Sequence, residues 1–184
     1  MEIHELTEEE REQLLEQTFK KLNIERKYLS REELEKEIIN YLSKTQACSL
    51  ATCSKDGTPR ISVVDYLNDG LTIYIFSEGG DKFKNLKENN KVAIGIGTST
   101  KTVRSLRGIN MWGIAEVFTE DSPEFAHGMK FFGPIIKEQA KETGTPIDLR
   151  KGTTRMIRVT PTKIVYSHIN KGIANAHLGN PINP

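Results

Sequence analysis

The stretch best equipped for chemistry is Ser77-Glu78-Gly79-Gly80-Asp81-Lys82-Phe83-Lys84-Asn85-Leu86. It follows Leu71-Thr72-Ile73-Tyr74-Ile75-Phe76, whose β-branched and aromatic side chains read as a strand. The strand ends in a hydroxyl residue, two glycines let the backbone turn closely, and a helix opens with lysine in its first turn. Free amides at a helix start, the helix dipole and an ammonium together make an anion site. A lysine point charge suits a phosphate oxygen. The same residues also describe an ordinary loop with a solvated basic face, and both readings stand at this point.

Further basic residues recur on neighbouring predicted strands, at Arg60 and at Lys101, Arg104 and Arg107. An antiparallel barrel can bring them to one end. Basic residues on exposed strand edges also guard against aggregation, which explains one or two of them but less well the clustering. Other chemistry finds little footing. His127, His168 and His177 lack tight ligand spacing. Cys48 and Cys53 stand an odd number of residues apart in a predicted strand, so they face opposite ways and suit neither a disulfide nor a metal pair. No Gly-x-Ser-x-Gly or Cys/His nucleophile pattern occurs. Met111 and Trp112 read as core or as an interface between copies.

The elements that must position these groups fall into two parts. The chain has 184 residues, with 36% hydrophobic and 28% charged, which fits one domain of ordinary size with an appendage and excludes a disordered or collagen-like chain. Net charge is +1, so no global field points to nucleic acid or a membrane. Residues 1–44 carry twelve acidic and eight basic groups, and the remainder thirteen and eighteen. Two helices are predicted in the acidic part, each opened by a capping box: Thr7 with Glu10, and Ser30 with Glu33. Leu14, Leu15, Phe19 and Leu22 line the first, and Leu34, Ile38 and Leu42 the second.

From residue 46 the period shifts towards two. Strands are predicted over 46–53, 58–67, 71–76, 91–98, 104–118, 155–160 and 163–168, with the last two divided by Pro161. A short helix is expected over 81–88. A second helical stretch starts at Ser122-Pro123, breaks at Gly133-Pro134 and ends near Gly144. The tail from Asn170 shows little pattern. Six or seven short antiparallel strands suggest a small barrel. The division expected is a helical extension over 1–44, a barrel over 45–168 and a tail over 169–184. No membrane span or secretory signal is apparent, and reduced thiols fit a cytoplasmic protein.

Leu50-Ala51-Thr52, Asp56-Gly57-Thr58-Pro59, Ile73-Tyr74-Ile75-Phe76-Ser77, Lys82 with Asn85-Leu86, Asn89-Asn90-Lys91-Val92 and Gly113-Ile114-Ala115-Glu116 occur in order. Together, over about 35–168, they resemble the pyridoxamine 5′-phosphate oxidase-like FMN-binding split-barrel family. The resemblance implies a six-stranded split barrel forming a homodimer, with FMN in grooves at the subunit interface. By the same resemblance Lys82 would bind the phosphate, with Ser77 beside it at the end of the third strand after Phe76. Asn85 would belong to the same turn, Arg60-Ile61-Ser62-Val63 would line the flavin, and Arg107 would match a basic residue of the fifth strand.

The departures are specific. The oxidase proper usually has Gln beside the fifth-strand arginine, where this chain has Gly108. The oxidase also ends in a Trp-Pro-x-Arg-Leu segment that helps bind pyridoxal, whereas this chain has no Trp after Trp112 and no Arg after Arg158. The match is therefore to the wider family. The function expected is an FMN-dependent oxidoreductase acting on a small molecule, with no residue assigned to catalysis and no metal. The alternatives are a heme-binding or heme-degrading barrel using His168 or His177, a deazaflavin in place of FMN, and a non-catalytic cofactor-binding dimer.

Overall fold

A computed structural model of the chain describes residues 6–98, 101–144 and 154–179. Both capping boxes form as predicted. Thr7 and Ser30 accept from the amides of Glu10 and Glu33, whose carboxylates return to the cap amides, and helices α1 (Glu8–Leu22) and α2 (Arg31–Leu42) follow. Only Phe19 of α1 is buried, whereas α2 buries Leu34, Ile38, Tyr41 and Leu42.

Eight strands then make one antiparallel sheet: β1 (Ala47–Cys53), β2 (Pro59–Asp65), β3 (Leu67–Asp69), β4 (Thr72–Ser77), β5 (Lys91–Gly97), β6 (Arg107–Phe118), β7 (Arg155–His168) and β8 (Ile173–Gly179). The order is β2-β1-β5-β6-β7-β4-β3, with β8 also on β7. Strand β7 has fourteen residues and explains the split. One edge of β7 takes β6 along its length, and the other takes β4 over Arg155–Val159 and β8 from Lys163 onward. The fold is thus a mainly β split barrel, with eight strands where six were expected.

The additional strands have identifiable causes. The strand predicted over 58–67 breaks at Tyr66, whose side chain turns into the core. Its hydroxyl donates to the Leu42 carbonyl at 3.0 Å and pairs with Thr45 Oγ1 at 2.5 Å. The tail predicted to lack pattern supplies β8, with Ile173 and Leu178 in the core. Pro161 does not divide β7, because the ladder slips beside it. Trp112 faces Lys163 and Gly113 faces Pro161, leaving Thr162 as the extra residue of a bulge. Gly113 fits this slip uniquely, since a Cβ there would meet the Thr160 carbonyl oxygen at 2.6 Å and Val159 Cγ1 at 2.9 Å. Strand β6 starts at Arg107 rather than 104, because Val103–Ser105 winds a 3-10 turn capped by the Thr102 hydroxyl.

Helix α3 (Lys82–Glu88) bridges β4 and β5, and α4 (Pro123–Thr143) joins β6 to β7. The break predicted at Gly133-Pro134 is absent, and α4 runs through Pro134. Phe132 and Ile136, on either side of the proline, both pack into one cluster with Tyr74, Phe125 and Met156. That contact holds the two halves in line despite the amide that proline lacks. The larger core joins α2 to the barrel interior, through Leu34, Ile38, Leu42, Leu50, Ile75, Ile94, Met111 and Ile157 among others. Cys48 is buried inside and Cys53 is half-buried, and both are free thiols. No helix among the described residues is long and apolar enough to cross a membrane.

Candidate functional site

Strand β4 delivers Ser77 to the start of a tight turn, where its hydroxyl donates to the Gly79 carbonyl at 3.2 Å. Gly80 has φ +106°, a conformation suited to glycine, and an added Cβ would stand 3.3 Å from Lys82 Nζ. The turn folds Lys82 inward. Its side chain is buried (7% exposed) although it carries a charge. The ammonium donates to the Gly79 carbonyl at 2.5 Å and lies 5.0 Å from the centre of the Phe83 ring. No carboxylate among the described residues pairs with it. Burial, and then the Arg60 guanidinium, hold this ammonium below its ordinary pKa. A buried ammonium with three donors and one carbonyl partner presents the chemistry of an anion receptor.

The first turn of α3 works differently from the sequence expectation. The amides of Phe83, Lys84 and Asn85 already bond to the Gly80 and Asp81 carbonyls, and α3 has only seven residues. Charge on side chains therefore carries the site, not free helix amides. Asp81 stands at the cap without a capping hydrogen bond and instead pairs with Lys84 at 3.1 Å and Arg60 at 3.3 Å. The Lys84 ammonium, more than Arg60, holds the Asp81 carboxyl below its usual range. Asn85 anchors the helix by donating to Thr52 Oγ1 of β1 at 3.1 Å.

Strand alternation divides the segment predicted to line a ligand. Arg60 and Ser62 stand opposite Thr52 and Leu50, whose side chains are buried inside. Ile61 and Val63 stand opposite Ala51 and Ser49 on the outer face and are 68% and 77% exposed. Phe76 turns to α4, with ring centres 5.9 Å from Phe132 and 6.2 Å from Phe125.

Arg107 is set apart from these residues. Arg60 lies level with Thr52, next to the Ala51–Ala93 pair, whereas Arg107 lies beyond the Gly97–Gly108 pair. Six strand positions, about 20 Å, separate the two levels. Arg104 shares that far end, bonding to the Leu22 carbonyl and to Asn170. The convergence of all the basic residues on one end is therefore not found within one chain. Lys101 is exposed. His168 and His177 occupy different strands, and among the described residues no group of three metal-ligating side chains gathers.

Arg155 was missed in the sequence. It pairs with Ser77 across β4 and β7, and its guanidinium sits 4.9 Å from the Phe83 ring centre, on the ring that also meets Lys82. Only the long-range register brings it there. The result is three cations, Arg60, Lys82 and Arg155, around one glycine turn, offset locally by Asp81.

The structure is similar to a conserved hypothetical protein of Mycobacterium tuberculosis, Rv2991, at TM-score 0.58 and 23% identity over 83% of this chain and 94% of that chain. The heme storage protein HutZ of Vibrio cholerae gives 0.56 and 18%, covering 70% and 89%. An FAD-binding protein of Mesorhizobium loti gives 0.52 and 18%, covering 74% and 90%. At these identities the likeness concerns the fold. No curated protein matches the sequence. The sequence profile described as Pyridoxamine 5'-phosphate oxidase matches residues 34–168, from within α2 to the end of β7, and on that match the chain belongs to the wider pyridoxamine 5′-phosphate oxidase-like family.

Proposed function

We propose that the chain is a flavoprotein that holds FMN by its phosphate and serves as an oxidoreductase on a small molecule. The observation that carries the reading is Lys82, an ammonium buried to 7% exposure with no carboxylate partner among the described residues. A phosphate supplies the acceptors that this group lacks. Arg60 is the second ligand, exchanging Asp81 for the phosphate, and the Ser77 hydroxyl at the turn is the third. Ser62 shares the Arg60 face of β2. Asn85 positions α3 and does not itself hold the ligand. Arg107, at the other end of the ladder, is left out of this cradle, and Phe76 supports the turn from the α4 side.

Bound flavin supplies hydride or electron transfer, while the protein provides binding, orientation and exclusion of water. A second copy of the chain covers the outer sheet face. There the row Ile61–Ala51–Ala93–Trp112 presents small residues between exposed apolar ones, and Val63 stands exposed beside it at the end of the row Val63–Ser49–Gly95–Asn110. Such a contiguous apolar face favours a partner.

The test is the absorbance spectrum of the purified protein and of the apoprotein titrated with FMN. A two-band flavin spectrum, with loss of FMN fluorescence at saturation, supports the reading. A Soret band would support the heme alternative, and a colourless protein that ignores added FMN would refute flavin binding. Mass spectrometry of the released ligand separates FMN from a deazaflavin.

A further inference from the structure

The far mouth of the barrel holds a second basic pocket that the flavin reading does not use. Arg107 shares its strand face with Ile109 and Met111, which are buried inside, and it pairs with His168 at the start of the β6–β7 ladder. The end of helix α2, with Tyr41, and the turn after it, with Lys44, close over this mouth, and a cavity of about 160 Å³ remains between them and the barrel. The cavity is too small for a nucleotide or a drug-sized ligand, which needs about 300 Å³ or more. It suits an ion of several heavy atoms.

Its charges do not balance. Lys171 is matched by Glu37 at 2.6 Å. Arg107 and Lys44 have no carboxylate within salt-bridge distance among the described residues, and Arg107 engages only Thr98 Oγ1, through Nε at 3.3 Å. Arg107 is close enough to act electrostatically on Tyr41, Tyr166 and His168. The Tyr166 hydroxyl is paired with His168 Nδ1 at 3.1 Å. The Tyr41 hydroxyl is different. Tyr41 is 6% exposed, lines the cavity, and its hydroxyl has no hydrogen-bond partner among the described residues. Buried hydroxyls are rarely left so.

Arg107 and Lys44, both exposed to solvent at this mouth, stand beside a buried donor that has no partner among the described residues, and together they suit an acceptor carrying negative charge. A guanidinium fork matches the paired oxygens of phosphate or carboxylate. We infer that the pocket formed by Tyr41, Lys44 and Arg107 binds a small oxyanion, either inorganic phosphate or a short carboxylate. The occupant would touch both α2 and the barrel wall, tying the helix to the mouth it closes. The pocket lies at the opposite end of the β1–β5 ladder from Lys82, so this inference stands whether or not flavin binds.

The experiment uses the full chain carrying Lys82→Ala, which weakens anion binding at the first site. Inorganic phosphate and succinate are titrated separately at constant ionic strength against chloride, following the thermal midpoint and the 31P linewidth of phosphate. A saturable rise in midpoint with either anion, beyond that with chloride, is expected. Whichever anion acts identifies the source. Adding Arg107→Gln should raise the apparent Kd about tenfold or more. Tyr41→Phe should raise it several-fold without lowering the midpoint in anion-free buffer, since the hydroxyl it deletes has no partner among the described residues. No saturable response, or a response unchanged in both variants, overturns the inference. So does a Tyr41→Phe variant that loses stability without anion yet responds normally, since that marks an ordered water as the partner.

Discussion

Replacing Lys82 by methionine separates the two roles that a buried ammonium can have. Methionine keeps the length and much of the volume, so packing against Phe83 survives. In the ligand-free protein the substitution deletes one hydrogen bond, to the Gly79 carbonyl, and also relieves the burial of a charge that no carboxylate among the described residues neutralises. The two effects oppose one another, and the thermal midpoint should hold or rise. Binding responds in the other direction. A hydrogen bond to a charged group contributes about 1.5–3 kcal/mol, so FMN affinity should fall about 10- to 150-fold. The pH dependence adds a signature. Burial and Arg60 lower the Lys82 pKa from its ordinary 10.5. Between the lowered value and 10.5 the unfolded chain binds the extra proton, so stability rises with pH across that window. The methionine variant should lose this rise. Fluorescence titration with FMN and thermal unfolding as a function of pH measure both effects. An unchanged FMN affinity, or a sharp fall in ligand-free stability, would refute the assignment of Lys82 as an anion receptor.

On the proposed pairing of two copies through the outer face, Ile61→Lys with Val63→Lys should shift the protein towards monomer in sedimentation velocity, because both side chains are exposed there. Gly113→Ala should cost about 1–3 kcal/mol by overpacking, because its Cβ would lie 2.6 Å from the Thr160 carbonyl oxygen, and denaturant unfolding checks it. Tyr66→Phe should lose about 0.5–1.5 kcal/mol by the same measurement, since it deletes the hydroxyl's bonds to the Leu42 carbonyl and to Thr45, both of which keep other partners. His168 has its pKa lowered from 6.5 by burial and then by Lys171 and Arg107, with Glu37 opposing. Its contribution is therefore fully present above pH 6.5 and declines as pH falls towards the lowered value. Thermal midpoints of His168→Gln should depend less on pH in that window.

The sequence was most legible where cause and effect lie within a few residues. Thr7 with Glu10 and Ser30 with Glu33 form the predicted caps, because a capping box closes over three positions. The glycine turn before Lys82 was equally readable. What escaped depended on partners far along the chain. Pro161 looked like a strand break until the ladder opposite supplied a bulge, and Gly133-Pro134 like a helix break until Phe132 and Ile136 met one cluster. Arg155 entered the site only by pairing with Ser77 across β4 and β7. Arg107 left it for a converse reason: basic residues alike in type were sent to opposite ends by the direction of the strands.

Helix α2 meets the last strand and the turn before it. Glu37 pairs with Lys171, 134 positions further along, and Leu34 and Ile38 share the core with Ile173 and Leu178. During synthesis this helix emerges before every strand it packs on, and its surroundings are complete only once β8 has left the ribosome. Until then its apolar stripe has nowhere permanent to go. High contact order of this kind predisposes a nascent chain to slow closure and to a period of exposed stickiness.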